Sequence, residues 1–220
     1  MKIIENVYVV PGVVASPYIL VDTDGLTIID TGFPRSEKKI LAYIAGLGRS
    51  ARDVKRILLT HSDLDHVGSL SALYKATGAR TCASRIEAEA IGAGEASRPI
   101  IQRGFSLRRL VRAFIKPAPF QVDEILTDGQ VLPVLGGLIV IATTGHSPGH
   151  LSFFAPAAGI LFSGDSMVSD EEGLHGSKPQ YTWDAAQAAQ AVRKQATLGA
   201  RIVCPSHGPV VMEPDFSSLI

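Results

Sequence analysis

Thr60 to His66 read THSDLDH, so His61, Asp63, Asp65 and His66 fall within six residues, directly after an apolar run. Similar polar residues follow other apolar runs. Asp30 follows Ile28-Ile29, His146 follows Thr144-Gly145, Asp165 follows Phe162-Ser163-Gly164, and His207 follows Val203-Cys204-Pro205-Ser206. Imidazole nitrogen and carboxylate oxygen are ligands of zinc, iron and manganese. Residues two apart on a tight turn can point to one ion while their neighbours reach a second, so this segment could serve two metals. Two ions about 3.5–4 Å apart can hold a bridging hydroxide and clamp attacking and leaving oxygens, and the bound water ionises near pH 7. One His at a strand end is ordinarily a hydrogen-bonded structural residue. Several such ends in one chain favour a metal centre.

The elements that must position these residues are short strands and helices. Val7 to Val10, Tyr18 to Val21 and Leu26 to Ile29 read as strands, the last two joined by a turn at Asp22-Thr23-Asp24-Gly25. A helix is predicted after Ser36 as N-cap, with Ile40, Leu41, Ile44 and Leu47 at helical spacing and Gly48 as its stop. A strand over Arg56 to Thr60 runs into His61. A helix over His66 to Thr77, a strand over Arg80 to Ala83 and a helix over Ser84 to Gly92 follow. Strands at Leu138 to Thr143, Leu151 to Ala155 and Ile160 to Ser163, a helix at Thr182 to Leu198 and a strand at Arg201 to Cys204 complete the pattern. The two halves look loosely alike, which suggests two sheets with helices outside. Five strands then each end in His or Asp, and strand ends on one sheet edge can converge on a pocket.

Composition narrows the function. The 220 residues carry 21 Lys+Arg against 21 Asp+Glu, without the basic excess of a nucleic-acid binder. With 46% hydrophobic residues, one large domain spanning 1–220 is expected. Cys82 and Cys204 form no CxxC pair, against a disulfide framework or zinc knuckle. Glu5 and Asn6 interrupt any leader-like apolar stretch, and no run reaches the roughly 18 apolar residues of a membrane span. A cytoplasmic, reduced, soluble protein is the expectation; a mature secreted chain is the other reading.

Gly92 to Pro119 differs in character. It holds Arg98, Arg103, Arg108, Arg109, Arg112 and Lys116 beside apolar Phe105, Leu107, Leu110, Val111 and Phe114. It reads as an insertion or lid whose arginines could pair with an anionic substrate, or as a solvated basic helix face. His175 reads as a loop residue near the site, Tyr181 and Trp183 as aromatics packing the long helix, and Cys204 as a buried strand thiol.

Together these motifs resemble the metallo-β-lactamase superfamily. Thr60–His66 is similar to its THxHxDH motif, Thr144-Gly145-His146-Ser147-Pro148-Gly149-His150 to TPGHTPGH, and Phe162-Ser163-Gly164-Asp165 to F-x-GD. Ser206-His207-Gly208-Pro209 is similar to its terminal GHG, and Asp30-Thr31-Gly32 to its leading DTG. The resemblance covers almost the whole chain in order. It implies an α/β fold, an αββα four-layer sandwich with a binuclear metal site at one edge. Carried over, His61, Asp63 and His146 would bind the first metal, Asp65, His66 and His207 the second, and Asp165 would bridge. Asp65 and Asp165 would be the catalytic carboxylates, with Asp30 and His150 in supporting roles. The departure is Asp63, where the family usually has His. Asp63 could bind the first metal, turn away, or shift preference from zinc toward iron or manganese. The flavodiiron branch has glutamate there, but this chain has no flavodoxin domain.

The implied activity is metal-dependent hydrolysis of a small ester, thioester or lactone by a bridging hydroxide, with two divalent ions, zinc foremost. A mononuclear iron enzyme resembling the persulfide-oxidising members, a small phosphodiesterase, and a binding protein without turnover are the other readings. The expected partner is a small-molecule substrate, with no nucleic acid and no membrane. Replacing Asp63 by His is expected to preserve or raise zinc binding.

Overall fold

A computed structural model describes residues 1–98 and 117–219, excluding the side chain of Ser218. Its first sheet runs β1 (Lys2–Ile4), β2 (Val7–Val9), β3 (Tyr18–Asp22), β4 (Gly25–Ile29), β5 (Val54–Leu58), β6 (Arg80–Ala83) and β7 (Glu124–Ile125) in spatial order. β1 to β4 pair antiparallel and β4 to β7 parallel. The crossovers carry α1 (Glu37–Gly46), α2 (Leu64–Val67), α3 (Leu70–Thr77) and α4 (Arg85–Ala93). The second sheet is built from β8 (Val131–Leu132), β9 (Leu138–Ala142), β10 (Leu151–Ala155), β11 (Ile160–Gly164), β14 (Ile202–Pro205) and β15 (Val211–Met212). A hairpin of β12 (Met167–Asp170) and β13 (Gly173–Gly176) leaves β11, and α5 (Ala185–Ala196) precedes β14.

The apolar pattern assembles four layers. Ile29, Leu58 and Tyr18 meet Val140, Phe153 and Phe162 in a core between the sheets. Ile19, Ile28 and Ile57 face the other way, against Ile40, Ile44, Leu73 and Ile91 of the first helix layer. Ile141, Phe154, Leu161 and Val203 cover the outer face of the second sheet with Val192 of α5 and Met167 and Leu174 of the hairpin. Each sheet is thus apolar on both faces, and each buried large side chain contributes roughly 1.5–3 kcal/mol. This is the αββα sandwich expected from the sequence.

Two local details depart from the sequence reading. The helix predicted over His66 to Thr77 is broken into α2 and α3. At the break Gly68 packs against Pro34, where a Cβ would collide, and Ser69 turns its hydroxyl onto the start of α1. That hydroxyl accepts from the amides of Ser36 and Glu37 at 2.9 and 3.2 Å, so the cap comes from Ser69 while Ser36 is itself helical. The β12–β13 hairpin and the short strands β1, β7, β8 and β15 have too few residues to show a period in the sequence.

Candidate metal centre

The strands deliver their polar residues to one place. β4 ends at Ile29 and the next residue, Asp30, takes a left-handed φ of 59°. Its carboxylate accepts from the Thr60 amide at 2.9 Å and the Thr60 hydroxyl at 2.7 Å, and contacts His66 Nδ1 at 2.8 Å. Asp30 therefore fixes the turn after β5 and aims His66 Nε2 at Asp165 Oδ1, 3.4 Å away. His61 Nδ1 meets Thr60 Oγ1 at 3.0 Å, and His146 Nδ1 meets Ser177 Oγ at 3.0 Å. In all three histidines the Nδ1 side is occupied by a neighbour, which leaves Nε2 facing inward.

Two triads result. Asp63 Oδ2 lies 3.6 Å from both His61 Nε2 and His146 Nε2. His207 Nε2 lies 3.4 Å from Asp65 Oδ2, and His66 completes that group. Asp165 stands between them, its Oδ2 3.6 Å from His146 Nε2 and 3.4 Å from His207 Nε2. Ligand atoms around a tetrahedral ion at about 2.0–2.2 Å are separated by about 3.3–3.6 Å. Nε2 of His61, His66 and His146 and Oδ1 of Asp165 are buried with no hydrogen-bond partner among the described residues. Orphaned buried polar atoms are costly. Four of them converging on shared carboxylates fit a divalent cation, and the clusters could hold metal.

The electrostatics agree. Burial opposes ionisation of Asp165, but the charges of His66, His146 and His61 and a hydrogen bond with His207 hold its carboxyl well below the usual range. Asp63 is likewise held well below it, burial being outweighed by the facing imidazoles of His146 and His61 and by the charge of Arg98. Burial disfavours charged His66, yet Asp165, Asp30 and Asp65 raise it to about 10. His207 rises to about 9, burial being outweighed by Asp165 and Asp65. In the metal-free protein these carboxylates stabilise positive charge on His66 and His207, while burial and the charge of His61 hold His146 below its ordinary value.

The remaining sequence expectations divide. His150 is fully occupied: its Nδ1 meets Thr143 Oγ1 at 2.8 Å and its Nε2 accepts from the Asp165 amide at 3.0 Å. It positions Asp165, in line with the supporting role. Gly164 permits this, because a Cβ there would lie 2.7 Å from the His150 ring, and its φ is 56°. Cys204 is a buried thiol, as expected, and burial pushes it well up. His175 lies on a strand, not in a loop, and its Nε2 meets Asp170 Oδ1 at 2.7 Å across the hairpin. Tyr181 and Trp183 are exposed, and the Trp183 amide donates to the His146 carbonyl at 3.1 Å. Of the basic lid, residues 99–116 lie outside the described residues. Arg98 is described, and it turns inward to pair with Asp63.

Sequence reasoning missed Glu87. Its fully buried carboxylate accepts from the Ser62 amide at 2.9 Å, the Ser147 hydroxyl at 2.6 Å, the Gly149 amide at 3.0 Å and the Ser97 hydroxyl at 2.8 Å. It ties the loop of His61 and Asp63 to the loop of His146. The Ser84-x-x-Glu87 pattern signals a helix start, and Ser84 does cap the Glu87 amide at 3.3 Å. That pattern carries no sign of the tertiary use of the carboxylate.

Known proteins resemble this chain in sequence and fold. The family model of the metallo-beta-lactamase superfamily matches residues 10–207. The probable metallo-hydrolase YflN of Bacillus subtilis (strain 168) is 27% identical over 87% of this chain and 78% of its own length. An atrochrysone carboxyl ACP thioesterase of Aspergillus fumigatus is 28% identical over 88% of this chain, which spans half of that protein. A mutant metallo-beta-lactamase of Cronobacter sakazakii superposes with a TM-score of 0.75 at 24% identity, covering 94% of this chain and 79% of that one. The motif order, the four layers and these likenesses lead to one assignment: the chain belongs to the metallo-beta-lactamase superfamily and is a hydrolase.

Proposed function

We propose that the chain hydrolyses a small thioester or related ester, using two divalent ions, zinc foremost. The observation that carries this reading is the pair of His/Asp triads sharing Asp165, with Nε2 of His61, His66 and His146 unpartnered among the described residues. His61, Asp63 and His146 would hold one ion, Asp65, His66 and His207 the other, and Asp165 would touch both. Bound there, the ions would supply water ionised near neutral pH and a Lewis acid for the carbonyl oxygen. The residues themselves orient and shield. Asp30, Thr60 and Ser177 hold the imidazoles by Nδ1, His150 and Gly164 set the Asp165 backbone, and Asp65, beside the shared ligand Asp165, would orient the attacking water and accept its proton. Thioesters are favoured over lactones and other esters by the named activity of the Aspergillus relative, whose match spans most of this chain. A cytoplasmic location and a free small-molecule substrate belong to the same proposal.

The test is a panel of acyl thioesters, lactones, aryl esters and an aryl phosphodiester, assayed with the zinc-loaded and EDTA-stripped chain. Zinc-dependent thioester cleavage that is lost in Asp165→Ala supports the reading. Preferential phosphodiester cleavage would replace it. Metal analysis giving one iron per chain with oxygen-dependent turnover would favour the redox alternative.

A further inference from the structure

We propose that Arg98 makes the two metal positions unequal, so that the Asp65–His66–His207 position fills first and the His61–Asp63–His146 position binds an ion more weakly. This rests on the metal reading above and adds an order to it. The Arg98 guanidinium donates to Asp63 Oδ2, and that same oxygen faces His61 Nε2 and His146 Nε2 at 3.6 Å. An ion entering this triad would share the carboxylate oxygen that faces both imidazoles with a fixed cation.

Arg98 is not a swinging surface residue. Its side chain is only 8% exposed. The preceding residue is pinned twice, the Ser97 amide donating to Ser62 Oγ at 2.8 Å and the Ser97 hydroxyl to Glu87 Oε1 at 2.8 Å. Formal charge then separates the positions. Asp63 and Arg98 cancel at the first. At the second, among the described residues Asp65 pairs with His207, whose imidazole, unlike a guanidinium, can release its proton to an incoming ion. Asp165 faces both positions and does not discriminate between them.

Two effects of removing Arg98 oppose each other. Losing a hydrogen bond that orients a metal ligand costs about 10–100-fold in affinity. A fixed cation a few ångströms from a divalent ion in a partly buried site opposes binding by several orders of magnitude before screening. The repulsion is larger, so a neutral residue of similar length should tighten the first position. The expectation for Asp63→His changes accordingly. That substitution alone leaves a buried guanidinium without its carboxylate beside an incoming cation, and should weaken zinc binding there until Arg98 is also neutralised.

The experiment is calorimetric titration of zinc into the EDTA-stripped full chain, with Asp63→Ala and Asp65→Ala assigning the steps. The wild type should show two steps whose dissociation constants differ by about tenfold or more, the weaker one absent in Asp63→Ala. Arg98→Met should tighten the weaker step by about tenfold or more, and Arg98→Lys, which keeps the cation, should leave it weak. Asp63→His should bind zinc less tightly at this position than Asp63→His combined with Arg98→Met. Two steps of equal affinity in the wild type, or a weaker first position in Arg98→Met, would overturn the inference while leaving a two-metal centre standing. Absence of zinc binding at both positions would overturn the metal reading and this inference with it.

Discussion

His66 is a buried imidazole among carboxylates, with Asp30 on its Nδ1 at 2.8 Å and Asp165 at 3.4 Å from its Nε2. Without metal its folded-state value is about 10 against an ordinary 6.5, and that of His207 is about 9. The folded chain therefore binds more protons here than the unfolded chain between about 6.5 and 10. The associated stabilisation is complete below about 6.5 and is lost as pH rises through about 9 to 10. Thermal melts of the EDTA-stripped protein should show a falling Tm from pH 7 to pH 10, and a rising Tm would contradict the charge assignment. With metal the direction reverses for binding, because imidazole ligands must be deprotonated and cation uptake releases their protons.

At the scale of elements, Glu87 of α4 and Gly164 of β11 decide how the ligand loops sit. Glu87→Ala leaves two amides and two hydroxyls without their buried acceptor, and should cost about 3 kcal/mol or more. Glu87→Gln, which faces the same donors with a new donor, should cost about 1–3 kcal/mol. Urea unfolding measures both, and a change below about 0.5 kcal/mol would contradict the bridging role. Gly164→Ala places a Cβ against His150 on a left-handed backbone. It should lower stability by about 1–3 kcal/mol, seen as a lower urea midpoint at an unchanged slope. The residues proposed as ligands stood out in the sequence because each lies just after an apolar strand, beside glycine or inside one dense motif. Asp30 and His150 were legible in kind for the same reason. Glu87 and Arg98 were not, because a helix-start pattern and a basic tract describe local chemistry, while their partners lie 10 to 62 and 35 residues away. The exposure of Trp183 was hidden likewise, since an amphipathic aromatic before a helix can lie on either side.

For the whole molecule, the four layers follow from sheets that are apolar on both faces, and the site lies where strand ends of both sheets meet. Tyr18 of the first sheet packs edge-on against Phe162 of the second at 5.3 Å and donates to the Pro205 carbonyl at 2.6 Å, two residues before His207. Metal binding should thus report on global stability. Each zinc bound to the folded state alone, at a free concentration 100 times its dissociation constant, should add about 2.7 kcal/mol to unfolding. A zinc titration that leaves Tm unchanged would contradict coupling between site and fold. Among the described residues no helix is long and apolar enough to cross a membrane. The formal charge of zero counts Asp63, Asp65 and Asp165 as bare anions, so two bound divalent ions would make the loaded chain about four charges more positive.

The central claim is the paired centre built on Asp165. A crystal structure at saturating zinc, with anomalous difference maps above and below the zinc edge, tests it most directly. Two peaks are expected, one bounded by His61, Asp63 and His146 and one by Asp65, His66 and His207, both in contact with Asp165. Zinc peaks confined to other residues, or none at these triads, would contradict it.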